Sequence, residues 1–329
     1  APVASPSRLF AHRPARRGFL VVAACLGVLA GSGTAQAAGT STVEAVTVSV
    51  DGRTTGGAPS GVTISDDGNL VAFVGANDRS AILPSVPSFC PQVYVRDRAA
   101  KRTLLISQNP RGGPARTCNV GHVALSGDGS TVAFTAHSDD LSPTGRDSDR
   151  YVFVKSLATG RIEYVTMPAP ATGTGPLKPY NVALSRDGRH LAVQSELDRS
   201  DRTWIRVLDR RSGGWRTACG PAYECKLLSM DPSARYIAHL ATAPWGTSGE
   251  SEVRVHDSRT GTRHRLAMGP MAKGGLVHTA HFSGDGSTLL VGRSHKYEQD
   301  RARSTLYRTR DGALLESLPR GDFGVFLDQ

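Results

Sequence analysis

The clearest pattern along the chain is a short polar turn followed by an apolar run, and this pattern recurs five times. The copies are SDDGNLVAF (65–73), SGDGSTVAF (126–134), SRDGRHLAV (185–193), SMDPSARYIAH (229–239) and SGDGSTLLV (283–291). Each copy follows a β-prone segment, and Asp-Gly between β-prone segments is a strong hairpin signal because glycine adopts a positive φ without penalty. We therefore predict one tight hairpin per copy. In the fourth copy Asp231-Pro232 replaces Asp-Gly, and there we expect a longer turn.

A second hairpin signal follows each copy: an aromatic or β-branched strand, a polar turn and another strand. The five segments are 92–107, 150–166, 203–218, 252–267 and 304–318. Four strands per unit, in units of about 45–60 residues, are typical of a β-propeller, whose blades are four-stranded antiparallel sheets. A single blade cannot bury both of its faces, whereas blades stacked around a ring bury them against each other. We predict an all-β propeller domain over residues 39–329 with five clear repeats.

These units resemble the WD40-like, TolB-type (PD40) propeller repeats of bacterial secreted proteins, which share the S-x-D-G-x-x-[LVI]-A-F hairpin and a later turn ending in T-G. The resemblance spans about residues 43–318 and implies a secreted propeller protein. Segment VEAVTVSVDGR (43–53) is similar to an outer strand of this family and precedes the first blade. Together with the tail FGVFLD (323–328), it would supply part of a further blade. Five and six blades therefore both remain open.

The first 38 residues have the order of an export signal. Basic residues precede the apolar run FLVVAACLGVLAG (19–31), and small residues follow it, with AQA (35–37) as the best cleavage site. The run is too short and too often interrupted by glycine to span a membrane. The arginine pair at 16–17 resembles a twin-arginine signature, and general secretion is the alternative. We predict a signal peptide over residues 1–38 and a mature protein that is secreted or held in the bacterial envelope.

Four cysteines follow the signal, an even count that fits two disulfides in an exported protein. We predict Cys90–Cys118, which would join adjacent blades, and Cys219–Cys225, which bracket GPAYE within one crossover. The fifth cysteine, Cys25, lies inside the signal in a segment that resembles a lipoprotein box. No Cys-x-x-Cys occurs, which argues against a zinc ribbon or a dithiol redox site.

The predicted topology divides the loops between two faces. With strands a to d running from the centre outward, the a–b and c–d turns share one face, and the b–c loops and d–a crossovers share the other. The first set is short and stereotyped, and we call its side the DG-turn face. The second, the long-loop face, comprises 75–91, 107–121, 136–149, 167–180, 195–202, 218–225, 241–251 and 293–303. Because binding residues concentrate on variable loops of a rigid scaffold, we predict function on the long-loop face.

Carboxylates and aromatic residues are frequent in these long loops. The second b–c loop carries Asp139, Asp140, Asp147 and Asp149, and the third carries Glu196, Asp198 and Asp201. The four aspartates of the second loop are weak candidates for calcium, which takes six or more oxygen ligands, although no EF-hand pattern occurs. Solvated turn residues are the competing interpretation, and we expect no other cofactor. The binding-face candidates are Asp147, Asp149, Trp245, His295 and Tyr297. Packing across a blade edge is the alternative role of the aromatic residues among them.

The chain is basic, with 39 Lys and Arg against 29 Asp and Glu. These charges form no block and alternate with no aromatic stripe, so we predict no nucleic-acid partner. No G-x-S-x-G, H-E-x-x-H or nucleotide-binding glycine motif occurs, and the sequence therefore indicates no catalytic residue. A site assembled from several blades would leave no linear motif.

These observations favour an exported, monomeric scaffold that binds a protein, peptide or glycan through the long-loop face and does not span the membrane once its signal is removed. The first alternative is a lactonase-like or lyase-like propeller enzyme with a metal at the central channel. The second is a TolB-like component of an envelope complex. The scaffold hypothesis depends on the family resemblance, because a fold alone does not specify a function.

Overall fold

The computed structural model describes residues 44–48, 60–75, 82–83, 85–86, 90–116, 119–137, 140–141, 150–169, 177–197, 202–242, 251–268, 275–295 and 298–318. Twenty β-strands and no helix occur in these residues. The predicted all-β class is therefore confirmed. A helix of the length and apolarity needed to cross a membrane is likewise not found among them.

The strands form five antiparallel four-stranded blades in chain order. Blade 1 contains β1 (Ser60–Ile64), β2 (Leu70–Gly75), β3 (Gln92–Asp97) and β4 (Arg102–Leu105). Blade 2 contains β5 (Val120–Leu125), β6 (Thr131–His137), β7 (Arg150–Ser156) and β8 (Ile162–Val165). Blade 3 contains β9 (Leu177–Leu184), β10 (His190–Leu197), β11 (Thr203–Asp209) and β12 (Gly214–Cys219). Blade 4 contains β13 (Glu224–Met230), β14 (Tyr236–Thr242), β15 (Glu252–Asp257) and β16 (Arg263–Arg265). Blade 5 contains β17 (Gly275–Phe282), β18 (Thr288–His295), β19 (Glu298–Arg308) and β20 (Leu314–Ser317).

The blades are arranged as a β-propeller, as the repeats predict. The first strand of each blade packs against the first strand of the next, from β1 through β5, β9 and β13 to β17. The first strands therefore lie closest to the axis, and the fourth strands form the perimeter. Each first strand also carries a β-bulge opposite the second strand of its blade.

The core is divided into apolar layers between consecutive blades, which we call seams 1–2, 2–3, 3–4 and 4–5. Seam 1–2, for example, buries Val95 of blade 1 against Leu125 and Phe134 of blade 2. The other three seams are built in the same way. The face of blade 1 that points away from blade 2 buries Phe73 and Tyr94 under loop residues of the same blade. Within the described residues, no apolar layer joins blade 5 to blade 1.

Candidate functional site

The turns of the DG-turn face share one hydrogen-bond pattern. The Ser65 hydroxyl donates to Asp67 Oδ1 at 2.5 Å and accepts from the Leu70 amide at 2.9 Å. The same serine-to-aspartate bond, 2.6 Å long, occurs at Ser126–Asp128, Ser185–Asp187 and Ser283–Asp285. The bond from the serine hydroxyl lowers the pKa of Asp67 and lowers the pKa of Asp285 to about 2. These aspartates therefore act as acceptors within their own turns.

The fourth turn keeps this pattern with its two side chains exchanged. Asp231 stands where the other turns have serine, and its carboxylate accepts from the Ser233 hydroxyl and the Tyr236 amide, both at 2.5 Å. Ala234 stands at the glycine position, with φ +58°. The prediction of a longer turn in this copy is therefore wrong. Asp231, rather than Ser229, is the first residue of a turn of the usual length.

Backbone hydrogen bonds connect the turns of consecutive blades. The Asp66 amide donates to the Gly127 carbonyl, the Asp128 amide to the Arg186 carbonyl, and the Arg186 amide to the Pro232 carbonyl, each at 2.8 Å. Asp66 and Arg186 also form an ion pair that joins blade 1 to blade 3. Gly127 lies beside this pair, where a Cβ would be 2.7 Å from Asp66 Oδ1. The DG-turn face is therefore a connected structural surface around the axis.

On the long-loop face, most of the residues predicted to bind a ligand lie outside the described part of the chain. They are Asp139, Asp147, Asp149, Trp245 and Tyr297. The remaining binding-face candidate, His295, ends β18, where its backbone pairs with Gly275 and Glu298. A binding role for these residues stays a prediction.

Asp140, one of the four predicted calcium ligands, lies in the described residues and connects two loops. Its Oδ2 accepts from the Asn109 side-chain amide and from the Arg116 backbone amide, both at 3.2 Å. The carboxylate thus joins the b–c loop of blade 2 to the crossover that precedes this blade. Across the described ranges, no three His, Cys, Asp or Glu residues are placed to hold a metal ion. Calcium binding stays a prediction, because Asp139, Asp147 and Asp149 fall outside these ranges.

A disulfide joins blades 3 and 4 at the long-loop face. Cys219 and Cys225, with Cα atoms 6.2 Å apart, are bonded across the crossover from β12 to β13, as the sequence predicts. Cys90 is disulfide-bonded as well. Its predicted partner, Cys118, lies outside the described residues.

A buried glutamine beside this disulfide connects the two blades further. Gln194 in β10 is 1% exposed, and its Nε2 donates to the Cys225 carbonyl at 2.7 Å and to the Tyr180 hydroxyl. Its Oε1 accepts from the Leu227 amide at 2.8 Å. Because leaving a buried polar group unpaired costs about 1–3 kcal/mol, these bonds hold the amide in one orientation. Gln194 therefore positions the Tyr180 side chain against the first strand of blade 4.

Tyr180 lies within electrostatic range of two carboxylates. Burial, reinforced by Glu196 and Glu224, raises the pKa of Tyr180 to about 12, so the phenol stays protonated at neutral pH. Glu196 lies near the end of β10 and Glu224 begins β13, and both side chains are exposed. We call Tyr180, Glu196 and Glu224 the 3–4 rim, because they lie where seam 3–4 reaches the long-loop face.

Charged and aromatic side chains of blade 4 adjoin the 3–4 rim. The Arg254 guanidinium lies 4.3 Å from the centroid of the Tyr223 ring, and its Nε donates to Glu252 Oε2 at 3.0 Å. Arg265 donates to the other carboxylate oxygen of Glu252 at 2.6 Å. Aromatic rings, a neutral phenol and charges of both signs are the groups that orient polar ligands at binding sites. The surface is suited to hydrogen bonding and stacking.

The sequence identified only part of this surface. It placed Glu196 among the loop carboxylates but missed Tyr180, Glu224 and Gln194. One signal was present, since a glutamine interrupts the apolar strand HLAVQSEL (190–197). Tyr180 gave no signal, because it lies at a bulge of β9, between the paired residues Pro179 and Asn181.

Comparison with known proteins identifies the fold. No protein-family model matches the sequence, and no curated protein sequence matches it either. Among solved structures, TolB from Acinetobacter baumannii matches with a TM-score of 0.51 and 18% identity, covering 78% of this chain and 53% of that chain. A protein assigned as TolB from Agrobacterium tumefaciens matches with a TM-score of 0.53 and 14% identity, covering 80% of this chain and 81% of that chain.

An oligogalacturonate lyase in complex with manganese also matches, with a TM-score of 0.50 and 13% identity, covering 80% of this chain and 65% of that chain. The chain spans about half the length of the Acinetobacter protein. At these identities the similarity shows the fold alone. The resemblance to TolB-type propellers is thus supported at the level of the fold, and no family model confirms the PD40 repeat.

Proposed function

We propose that this protein is an exported β-propeller scaffold that binds a protein, peptide or glycan through its long-loop face, with the 3–4 rim as part of the binding surface. The observation that carries the proposal is the rim itself. Two exposed carboxylates flank a phenol that a buried glutamine and a disulfide hold in place. Polar groups held in advance of binding lose little conformational entropy when a ligand arrives.

The contrast between the faces supports this assignment. The aspartates of the DG-turn face accept hydrogen bonds within their own turns, although Asp67 and Asp285 are exposed. Glu196 and Glu224 are also exposed, but among the described residues no hydrogen bond or ion pair to either carboxylate is found. Carboxylates next to aromatic rings suit ligands with several hydroxyls or with basic groups. We therefore propose a hydroxyl-rich glycan or a basic segment of a peptide or protein as the ligand.

The proposal includes location outside the cytoplasm. Its support is the predicted signal over residues 1–38, together with the Cys219–Cys225 disulfide, since disulfides persist in oxidising compartments. N-terminal sequencing of the exported protein should find cleavage near Ala37 or Ala38. A cytoplasmic protein that still carries residues 19–31 would contradict this part of the proposal.

The binding test compares two charge reversals on the mature protein. Arrays of glycans and of basic peptides are probed with the native protein, with Glu196→Lys/Glu224→Lys and with Glu316→Lys. Glu316 is exposed on the perimeter strand β20 of blade 5, whereas the 3–4 rim belongs to blades 3 and 4, and Glu316 serves as the control. We expect the double variant to lose at least tenfold in affinity for the array ligand and the control to bind as the native protein does. Equal binding by all three proteins would overturn the assignment of the rim.

A protein partner is tested separately in living cells. A photo-crosslinking amino acid is placed at Glu224 in one strain and at Glu316 in another. A specific adduct at position 224 alone supports a partner on the long-loop face. An adduct at position 316 alone would show that the partner binds elsewhere.

A further inference from the structure

On the face of blade 1 that points away from blade 2, loop residues of the same blade cover Phe73 and Tyr94 on the second and third strands. The first strand lacks the cover that the first strands of the other blades have. The residue that precedes each DG turn on the first strand packs against the preceding blade, as Leu125, Leu184, Met230 and Phe282 do. The equivalent residue of blade 1 is Ile64, which is 38% exposed, and Val62 on the same side is 50% exposed. Thr63 between them faces blade 2, since its hydroxyl accepts from the Leu125 amide at 3.1 Å. Val62 and Ile64 therefore form an apolar surface where a preceding blade would pack.

In each blade, one residue from each of the first three strands (a, b and c) pairs with its neighbours to form a row whose side chains point to the next blade. The row of blade 5 differs from the rows of blades 1–4. The rows are Thr63–Ala72–Val95, Ala124–Ala133–Val154, Ala183–Ala192–Val207, Ser229–Ala238–Val255 and His281–Leu290–Leu306. The second-strand alanines of blades 1–4 (Ala72, Ala133, Ala192 and Ala238) are 0% exposed. In blade 5, Leu290 and Leu306 are half-buried and His281 is exposed. Small residues allow close approach of the next blade. Blade 5 has large residues at these positions, so its neighbour is not blade 1 at the usual spacing.

Residues 44–48 lie where the outer strand of a preceding blade belongs. Arg98 donates to the Gly68 carbonyl at 2.7 Å and to Glu44 Oε2 at 3.0 Å. Arg210 of blade 3 makes the same two bonds, to the Gly188 carbonyl at 2.7 Å and to Glu163 at 2.9 Å. Glu163 belongs to β8, the outer strand of the blade that precedes blade 3. By this equivalence, Glu44 takes the position that Glu163 has on an outer strand, at the edge of a blade position that precedes blade 1.

The end of the sequence repeats the pattern of an inner strand. GVFLD (324–328) matches GVTIS (61–65) in its glycine, valine and final apolar residue. Aspartate in the serine position is compatible with a turn of this protein, because Asp231 holds that position in blade 4. Between an outer strand and the next inner strand the chain uses 14, 11, 4 and 9 residues at the four seams. Six residues separate Ser317, the end of β20, from Gly324, and this length lies within that range.

We propose that residues 324–328 occupy the space between blades 5 and 1 as the inner strand of a sixth blade position, whose outer edge is formed by residues 44–48. In the register of the other inner strands, Val325 and Leu327 would face Leu290 and Leu306 of blade 5. Phe326, at the position equivalent to Thr63, would face Val62 and Ile64 of blade 1. The occupant of this apolar surface is thus a segment of the same chain.

The first test measures amide hydrogen exchange in the full chain and in two variants. Phe326→Asp places a charge on the proposed strand, and Phe323→Asp places the same charge just before it. We expect Phe326→Asp to reduce protection of β1 and β18 at least tenfold while β5 and β9 keep theirs. Phe323→Asp should leave all four strands unchanged. Unchanged protection of β1 and β18 in Phe326→Asp would overturn the proposal.

The second test uses oxidative cross-linking of engineered cysteines. Ile64→Cys combined with Phe326→Cys should form a disulfide within one molecule, which runs as a monomer on a non-reducing gel. Thr63→Cys combined with Phe326→Cys is the control, because Thr63 faces blade 2 and should not react. A disulfide between two molecules would show that a second copy covers the surface. That result, or equal reaction of both cysteine pairs, overturns the proposal.

Discussion

The two faces of the propeller are stabilised in different ways. On the DG-turn face the same serine–aspartate bond recurs in the turns of blades 1, 2, 3 and 5, and the turn of blade 4 keeps it with the residues exchanged. On the long-loop face each described contact between loops and strands uses different residues and different bonds. Gln194 and a disulfide join seam 3–4, whereas in blade 1 Gln92 donates to the Ala115 carbonyl at 3.1 Å and accepts from Ser107 at 2.6 Å. Repeated contacts stabilise the ring, and the face without repetition is free to specialise for binding.

The largest effect that this comparison predicts is on stability, from a methyl group in a DG turn. In Gly188→Ala the new Cβ would lie 2.6 Å from Thr131 Oγ1 of the preceding blade, at φ +65°. Positive φ costs about 1–2 kcal/mol and overpacking about 1–3 kcal/mol, so we expect a loss of about 2–5 kcal/mol in the free energy of unfolding. Urea denaturation measures it. The same argument applies to Gly129 and Gly286, whose Cβ atoms would lie 3.0 Å from Leu70 Cδ1 and 2.9 Å from Asp231 Oδ2 of the preceding blade.

Gly160→Ala is the matched control for this prediction. Gly160 has φ +70° in the c–d turn of blade 2, and nothing lies within 4 Å of a Cβ there. We expect Gly160→Ala to cost only the backbone penalty of about 1–2 kcal/mol. Equal losses in the two variants would show that contact between turns does not tighten the ring.

The second largest effect comes from the long-loop face. Replacing Cys219 and Cys225 by alanine opens a loop with a sequence separation of 6 residues. Chain-entropy arithmetic gives a loss of about 2 kcal/mol in the free energy of unfolding. We also expect weaker ligand binding, because the disulfide supports the 3–4 rim. Thermal unfolding and binding are measured together, with Gly160→Ala as a variant of similar or smaller stability loss. If the cysteine variant binds the ligand as the native protein does, the disulfide does not contribute to ligand binding at the 3–4 rim.

Sequence predicted the repeated parts of the fold because their causes are local. Ser65, Asp67 and Gly68 act within six residues of one another, so the hairpin can be inferred without its neighbours. The geometry of the fourth turn was predicted wrongly, because aspartate and serine exchange roles there. The exchange places Asp231, two residues after Ser229, at the position that serine has in the other turns. Matching residue types position by position cannot detect an exchange that preserves the bond.

Most residues of the candidate site could not be predicted from the sequence, for a different reason. Tyr180 lies at a bulge, and a bulge depends on how two strands pair rather than on the alternation of either strand. Gln194 matters because Cys225 and Leu227 of the next blade complete its hydrogen bonds. Contacts between residues this far apart in sequence arise from the packing of blades. They become visible only in three dimensions.

A smaller effect concerns acid stability on the DG-turn face. The Ser283 hydroxyl lowers the pKa of Asp285 from 3.8 to about 2. The folded state therefore gains stability from this aspartate above pH about 4 and loses it as the pH falls from about 4 to about 2. Ser283→Ala should reduce stability at pH 5, and its difference from the native protein should shrink toward pH 2. Because Asp285 is exposed, we expect at most about 1 kcal/mol. A difference independent of pH would show that the hydroxyl acts on the backbone alone.

The smallest effect is a stabilisation at the one c–d turn without glycine. Lys101 has φ +53° where the other c–d turns have Gly160, Gly213, Gly261 and Gly312. Lys101→Gly removes the backbone penalty of about 1–2 kcal/mol, and the greater freedom of the unfolded chain offsets about half of it. We expect a gain of about 0.5 kcal/mol, measured as a shift in the urea midpoint.

Ala234→Gly sharpens this prediction, because Ala234 has a similar φ of +58° in the fourth DG turn. Its methyl group is buried, with the residue 2% exposed, whereas Lys101 is exposed. Losing a buried methyl costs about 0.8 kcal/mol, which cancels the backbone gain. We therefore expect stabilisation at position 101 and almost no change at position 234. If Ala234→Gly stabilised the protein as much as Lys101→Gly, the fourth DG turn would contribute no packing between blades 3 and 4, and its side chains would serve the turn alone.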